Sequence, residues 1–248
     1  DRSPSRGLGD VYKRQVSPSA VISLGFFALW EGLARYINMS FILPTPTLII
    51  KRFWELRETL ICYHLVETLK IAGISLGISL GIGIILAVLM DRSKAVENAI
   101  YPILVTSQTI PITALAPIFI LWFGYSIWSK VLVAIIITFF PVTINLSQGL
   151  KSVKEEYLEL FKSMNASEWD IFLKLKIPTV MPYFFSSLKM AIPFVIIGAT
   201  IGEWLGATAG LGYFSKRMMT QLDGAGVFAP VVLISLIVIA VSYTHLTL

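Results

Sequence analysis

Apolar residues run along this chain in long blocks, separated by short polar breaks. Six blocks stand out, from about Ser17 to Ile37, Leu69 to Met90, Ile100 to Phe123, Ile127 to Leu150, Pro178 to Leu205 and Val227 to Val241. Most approach the roughly 20 residues with which a helix crosses the hydrocarbon of a bilayer. The pattern predicts an all-α, polytopic membrane protein with about six transmembrane helices. Between the first two blocks, "NMSFILPTPTLIIKRFWELRETLICYHL" reads as a proline-bent entry and then an amphipathic stretch suited to lying on a membrane surface.

One segment breaks the pattern. "KSVKEEYLELFKSMNASEWDIFLKLKIP", residues 151–178, carries five lysines and five acids, yet keeps a helical apolar stripe at Val153, Tyr157, Leu160, Phe161 and Met164. Asn165 follows, a residue that tolerates the left-handed backbone of a helix stop. Ser167 then stands three residues before Asp170, the spacing with which a cap satisfies free backbone N–H groups. A second short helix with Trp169, Phe172 and Leu173 is expected to end before Pro178, which cannot continue it. The segment therefore reads as helix, tight turn, helix. Two ordered amphipathic helices imply a surface to rest on, either lipid headgroups or a soluble partner.

Composition agrees with the pattern. Hydrophobic residues make up 56% of the chain and charged residues 14%, against about 25% charged in soluble domains, too little charge to coat a soluble core. The two ends, 1–15 and 242–248, resemble translated sequencing-adapter read-through and are expected to be non-native, leaving 16–241 as a transmembrane domain truncated at one or both ends. Discounting four cations and two acids there lowers the formal charge from +5 to about +3. The single cysteine, Cys62, excludes an intrachain disulfide and offers no metal cluster. The positive-inside rule gives no orientation, since the loops on the two sides would hold seven basic residues each.

The polar segment resembles the cytoplasmic loop of permease subunits in importers of the ATP-binding-cassette type, whose pattern is E-A-A-x3-G-x9-I-x-L-P. Glu159 stands in the acidic slot, Asn165 in the glycine slot, and Leu175, Ile177 and Pro178 at the end; Leu160 and Phe161 replace the two alanines. "IPITALAPIFILWFGYSIWSK" (110–130), "FFPVTINLSQGL" (139–150) and "GEWLGATAGLGYF" (202–214) are similar to spans of the same family, in its nitrate, sulfonate, taurine and thiamine-precursor branch. The resemblance implies a type I importer permease fold in which the loop is a cytoplasmic helix-turn-helix that couples to a separate ATPase. Glu159, Leu160, Phe161, Asn165, Ala166, Ser167, Leu175, Ile177 and Pro178 would form that coupling loop. It further implies a multi-pass protein of the bacterial plasma (inner) membrane, a homodimer, two ATPase copies holding ATP and Mg, and an extracytoplasmic solute-binding protein. No cofactor is expected in this chain, no enzymatic activity of its own and no nucleic-acid partner. The substrate stays open among thiamine-pyrimidine precursors, sulfonates, taurine and nitrate.

Other residues carry candidate roles. Gly73, Gly77 and Gly81 share one helical face, which either packs within the subunit or forms a seam with another copy. Ser107, Gln108 and Thr109 precede Pro111, and Asn145 follows Pro141; such polar residues either repair a proline kink or line a solute path. Glu203, late in the fifth block, either accepts hydrogen bonds near the outer surface or takes part in the path. His64 has no evident partner, and Glu31 and Arg35 are spaced for a helical ion pair. No G-x4-G-K-[ST] loop occurs, so ATP hydrolysis by that route is excluded. The rival reading is an ion-coupled secondary transporter, which ordinarily places ionisable groups near the midplane and uses paired repeats of broken helices; the acids here sit near block ends.

Overall fold

The structure, a computed structural model, describes residues 5–244, with backbone alone at 5–17, 19 and 241–244. Of the ends expected to be adapter-derived, 1–4 and 245–248 lie outside the described residues, as do the side chains of 5–15 and 242–244. The elements are α1 (Ser5–Ile37), α2 (Pro46–Thr59), α3 (Val66–Arg92), α4 (Lys94–Ser107), α5 (Ile112–Phe123), α6 (Ile127–Lys151), α7 (Glu155–Ser163), α8 (Glu168–Ile171), α9 (Ile177–Gly206), α10 (Leu211–Thr220) and α11 (Gly224–Thr244). Wide π-helical turns at Leu60–Leu65 and Phe172–Lys176 join α2 to α3 and α8 to α9. No strand occurs among the described residues.

Four helical stretches are long and apolar enough to cross a membrane, Ala20–Ile37, Pro46–Arg92, Ile127–Lys151 and Glu168–Gly206. The third apolar block is different from its expectation. It is a pair of helices, α4 and α5, bent by 96°. Pro111 lacks an N–H and disfavours helical backbone at Ile110, so the chain leaves the helix between Ser107 and Ile112 and restarts with Pro111 as the cap. Counted as one crossing, the pair makes a fifth span; Gly224–Ala240 is a shorter apolar helix.

The amphipathic stretch after Pro46 packs part of its apolar surface inside the subunit and leaves Ile50 and Trp54 exposed. It runs through the π-helical turn into α3, and Phe53, Leu56 and Leu60 pack on Leu211, Phe214, Met218, Ala229 and Leu233 of α10 and α11. An ion pair between Arg52 Nε and Asp223 Oδ2, 2.8 Å, closes the same junction. Pro178, for its part, does not stop the second short helix. It occupies the first turn of α9, where a missing N–H costs little, and the helix passes through the wider turn from α8.

Helix α6 is the centre of the bundle, between α3 and α9, and it buries Val131, Val133, Ala134, Val142, Leu146 and Leu150. Small residues set how close its neighbours come. A Cβ on Gly198 would lie 2.5 Å from the Ala134 Cα, and one on Gly202 2.9 Å from the Lys130 Cα, so α9 and α6 meet backbone to backbone. Gly83 of α3 instead makes room for the Val142 side chain, whose Cγ1 would lie 2.6 Å from a Cβ there. Lipid gives helices no hydrophobic reason to associate, so such close packing supplies the attraction.

Candidate functional site

Residues 151–171 fold as the pattern indicates. Helix α7 ends at Ser163, Asn165 takes the left-handed conformation at φ 59°, and Ser167 caps α8 by accepting the Asp170 N–H at 3.1 Å. Asp170 also receives Lys174 Nζ at 2.6 Å and the Ser167 hydroxyl at 2.5 Å. The lysine foremost, and then the hydroxyl, hold this carboxyl down at about 2. Its pKa is depressed, so the clip contributes fully above the ordinary carboxylate range and fades only as pH falls towards about 2.

This helical hairpin is ordered but uncovered. Glu159 is exposed and belongs to none of the ion pairs among the described residues. Leu160 is 52% exposed, Met164 70% and Trp169 58%, with Tyr157 beside them. Phe161 and Ala166 are half-buried, Asn165 and Ser167 exposed, Leu175 half-buried, and Ile177 and Pro178 exposed. Trp169 stacks on Phe172 at 5.8 Å between ring centroids, and the Arg92 guanidinium lies 5.9 Å from the Phe172 ring. Asp91, Arg92, Glu168, Trp169, Phe172 and Lys176 line a cleft of about 450 Å³. Ile171 is the one buried anchor of the short helices.

The hairpin's two roots are tied to the turn between α3 and α4. Lys176 Nζ meets both oxygens of Asp91, at 2.9 and 2.7 Å, and Lys151 Nζ meets Glu97 Oε1 at 2.7 Å. Sequence reading missed both pairs, because partners 54 and 85 positions apart leave no local signal.

The candidate path residues separate. Ser107, Gln108 and Thr109 gather at the α4–α5 break, where Ser107 Oγ donates to the Leu104 carbonyl at 2.7 Å and Thr109 Oγ1 to Thr106 at 2.8 Å. Ser107 and Gln108 line an open cleft of about 240 Å³ with Ile136 and Ile137 of α6. Asn145 stands elsewhere. Its amide donates to the Tyr183 carbonyl at 3.1 Å and to Ser187 Oγ at 3.0 Å, tying α6 to α9.

Glu203 lies at the other end of the bundle, fully buried. Its Oε2 accepts the Gly212 N–H at 2.8 Å, and its Oε1 has no protein partner. Around it, His64 Nδ1 accepts the Gly210 N–H at 3.1 Å and Thr68 Oγ1 accepts the Leu211 N–H at 2.9 Å. Three consecutive N–H groups at the start of α10 are thus met by side chains from α9, α3 and the π-helical turn before it. Gly210 has to be glycine. Its φ is 111°, and a Cβ there would collide with the Glu203 carboxylate. His64, which lacked a partner in the sequence, finds one 146 residues away. Lys130 is also buried nearby, donating to the Tyr125 and Ser126 carbonyls at 2.8 and 3.0 Å.

Among the described residues, Gly73, Gly77 and Gly81 have no packing neighbour within the subunit. No described atom lies within 4 Å of a Cβ placed on any of them, while the opposite face of α3, with Ser75, Ser79 and Gly83, is the buried one. Glu31 and Arg35 form the helical ion pair at 2.8 Å. No group of three or more His, Cys, Asp or Glu residues suited to a metal occurs among the described residues.

Residues 79–245 match the family of the binding-protein-dependent transport system inner membrane component. The chain is 51% identical over 214 residues to the formylaminopyrimidine transport permease protein ThiX of Halalkalibacterium halodurans, covering 86% of each chain. It is 32% identical over 199 residues to the riboflavin transport system permease protein RibX of Chloroflexus aurantiacus, covering 80% of this chain and 74% of that one. Among solved structures, a chain of the MetNI methionine ABC transporter in inward-facing conformations superposes with a TM-score of 0.65 at 15% identity, over 82% of this chain and 94% of that one.

Proposed function

From the premise that this chain belongs to the family of binding-protein-dependent transport system inner membrane components, and is a permease subunit of an ATP-binding-cassette importer, we propose that its α7–α8 hairpin is the grip of a separate ATPase. The observation that carries this reading is the hairpin itself. A capped, ordered element that leaves Leu160, Met164 and Trp169 uncovered beside the free carboxylate of Glu159 is built to meet a partner. Glu159, Leu160, Phe161, Asn165, Ala166, Ser167, Leu175, Ile177 and Pro178 make up this loop in our reading, and it faces the cytoplasm of a bacterial inner membrane.

Two copies of the chain pair around a shared path and carry two ATPases, which hold ATP and Mg. A binding protein delivers the solute at the Glu203 end. The exposed face of Gly73, Gly77 and Gly81 is where a second helix comes close. ATP-driven closure of the ATPases pulls on the hairpins and rocks the bundle between inward- and outward-open states, which requires contacts that differ between those states. Ser107, Gln108 and Thr109 border the path. The solute is a formylaminopyrimidine, a reading supported by the 51% identity to a permease of that name across 86% of both chains.

The test is co-purification with the ATPase encoded beside it, then formylaminopyrimidine uptake and ATP hydrolysis in liposomes with the binding protein. Glu159→Lys is expected to retain the folded bundle and to abolish binding-protein-stimulated hydrolysis. Uptake that survives vanadate and collapses with an ionophore would instead establish an ion-coupled carrier.

A further inference from the structure

Both roots of the helical hairpin are fastened to one corner of the bundle. Lys151, at the end of α6, pairs with Glu97 in the first turn of α4; Lys176, just before α9, pairs with Asp91 in the last turn of α3. Between Asp91 and Glu97 the helix is interrupted only at Ser93, which is extended at φ −144° and caps α4. The two pairs therefore grip the corner from either side. The Lys176–Asp91 pair is not a loose surface contact, whereas Lys151 is 43% exposed and shares Glu97 with Lys94. The Asp91 side chain is 8% exposed and Lys176 21%, with both carboxylate oxygens engaged. Arg92, on the same corner, lies over the Phe172 ring of the hairpin's second half. Partly buried, doubly hydrogen-bonded pairs are far less screened than exposed ones and hold their geometry.

We propose that Lys151–Glu97 and Lys176–Asp91 are the struts by which the hairpin drives the α3–α4 corner, making α4 and the break at Ser107–Ile112 a second output of the ATPase stroke beside α6 and α9. This inference rests on the reading of the hairpin as the ATPase grip. Direct chain connections carry motion from the hairpin only into α6 and α9, because these are what it joins. Helix α4 lies far from it in sequence. Helix α4 runs unbroken from Glu97 through Pro102 to Ser107, about 15 Å at about 1.5 Å per residue, and so joins a displacement at Glu97 to the break where Ser107, Gln108 and Thr109 stand. The pairs thus make Lys151, Lys176, Asp91 and Glu97 positioning residues. None of them touches solute.

Hydrogen exchange read by mass spectrometry on the complex of this chain with its ATPase, with and without trapping by ATP and vanadate, tests this without knowledge of the solute. In the unaltered complex, trapping is expected to change exchange both in 155–171, where the ATPase sits, and in 94–112. In the Lys151→Gln, Lys176→Gln double variant the response of 94–112 is lost, while 155–171 still responds and the ATPase still co-purifies. Reversing both pairs together, Lys151→Glu with Glu97→Lys and Lys176→Asp with Asp91→Lys, restores the response at 94–112. A response of 94–112 that persists in the neutral variant, or is absent from the unaltered complex, overturns the struts, as does a reversed variant that binds ATPase without recovering it. Should the neutral variant fail to fold, Lys151→Gln alone, at a side chain 43% exposed, carries the test, with a weakened response at 94–112 expected and an undiminished one overturning the proposal. Failure of the ATPase to co-purify with the unaltered chain, or an unresponsive 155–171, would instead sink the reading of the hairpin as the grip.

Discussion

The Glu203 carboxylate accepts the backbone N–H of Gly212 at 2.8 Å, across the corner where α9 gives way to α10. That hydrogen bond closes a set of three, with His64 and Thr68 meeting the N–H groups of Gly210 and Leu211. The first N–H groups of a helix have no partner within it, and in an apolar bundle each unmet one is costly. Glu203→Ala removes the acceptor from a fully buried donor, for which a loss of about 1–3 kcal/mol is the usual scale. Glu203→Gln keeps an acceptor of the same shape. Thermal unfolding of the purified chain in detergent should therefore show a clear drop for Glu203→Ala and a much smaller one for Glu203→Gln. Equal drops would show that the carboxylate's charge, and not its hydrogen bond, holds the corner.

Trp169 offers a test confined to the hairpin. Its ring is mostly exposed, stacked on Phe172 at the rim of the cleft with Asp91 and Arg92. Large aromatic side chains that become fully covered in a complex commonly dominate its affinity. Trp169→Ala is expected to weaken ATPase binding about tenfold or more, which corresponds to at least about 1.4 kcal/mol, while the midpoint of thermal unfolding of the free chain stays put. Titration of ATPase onto immobilised permease reads the first quantity and nanoscale fluorimetry the second. Unchanged affinity would move the contact surface away from Trp169.

The two outcomes have different histories in the sequence. The hairpin was legible because its signals are local: an apolar stripe, Asn165 at φ 59°, and Ser167 three residues before Asp170. The spans were legible because a bilayer imposes a length on apolar runs. What stayed hidden depends on partners distant in the chain. His64 meets Gly210 across 146 residues, and Lys176 meets Asp91 across 85. Pro111 and Pro178 show the limit of local rules as well. Each forbids one hydrogen bond, yet Pro111 breaks its span by 96° whereas Pro178 is absorbed in the first turn of α9. What decides between these is whether the chain before the proline offers a wider helical turn, and composition does not announce that. The glycine face of α3 was ambiguous for the same reason: small residues suit any close neighbour, inside the subunit or out.

That ambiguity becomes a prediction about glycines in similar helices. Gly198 faces the Ala134 backbone so closely that an added Cβ would sit 2.5 Å from its Cα. Backbone cannot swing aside as a flexible side chain does, so Gly198→Ala has to push α9 off α6, at the about 1–3 kcal/mol typical of overpacking. Gly77 has no described neighbour within 4 Å of that position, and alanine favours a helix over glycine by about 1 kcal/mol. In the isolated chain, Gly198→Ala is expected to lower the unfolding midpoint and Gly77→Ala to leave it unchanged or raise it. In the assembled transporter, Gly77→Leu should weaken pairing of two copies in cross-linking or native mass spectrometry. Pairing that tolerates Gly77→Leu would place the seam on another face.

Asn145 is the candidate path residue whose geometry argues for a different duty. Both amide hydrogens are engaged, one with the Tyr183 carbonyl and one with Ser187 Oγ, so they clasp α6 to α9 and are not free to meet a passing solute. Interhelical hydrogen bonds of this kind contribute about 0.6–2 kcal/mol in a membrane bundle. Asn145→Ala is expected to lower stability by roughly that amount while leaving uptake per folded transporter close to the unaltered level. Part of the loss belongs to the contact with Ser187, so Asn145→Ala should cost less in a Ser187→Ala background, and the difference between the two costs measures the clasp directly. Denaturant unfolding in detergent gives the four stabilities and liposome uptake gives the activity. Near-normal stability together with lost uptake would reverse the assignment and return Asn145 to the wall of the solute path.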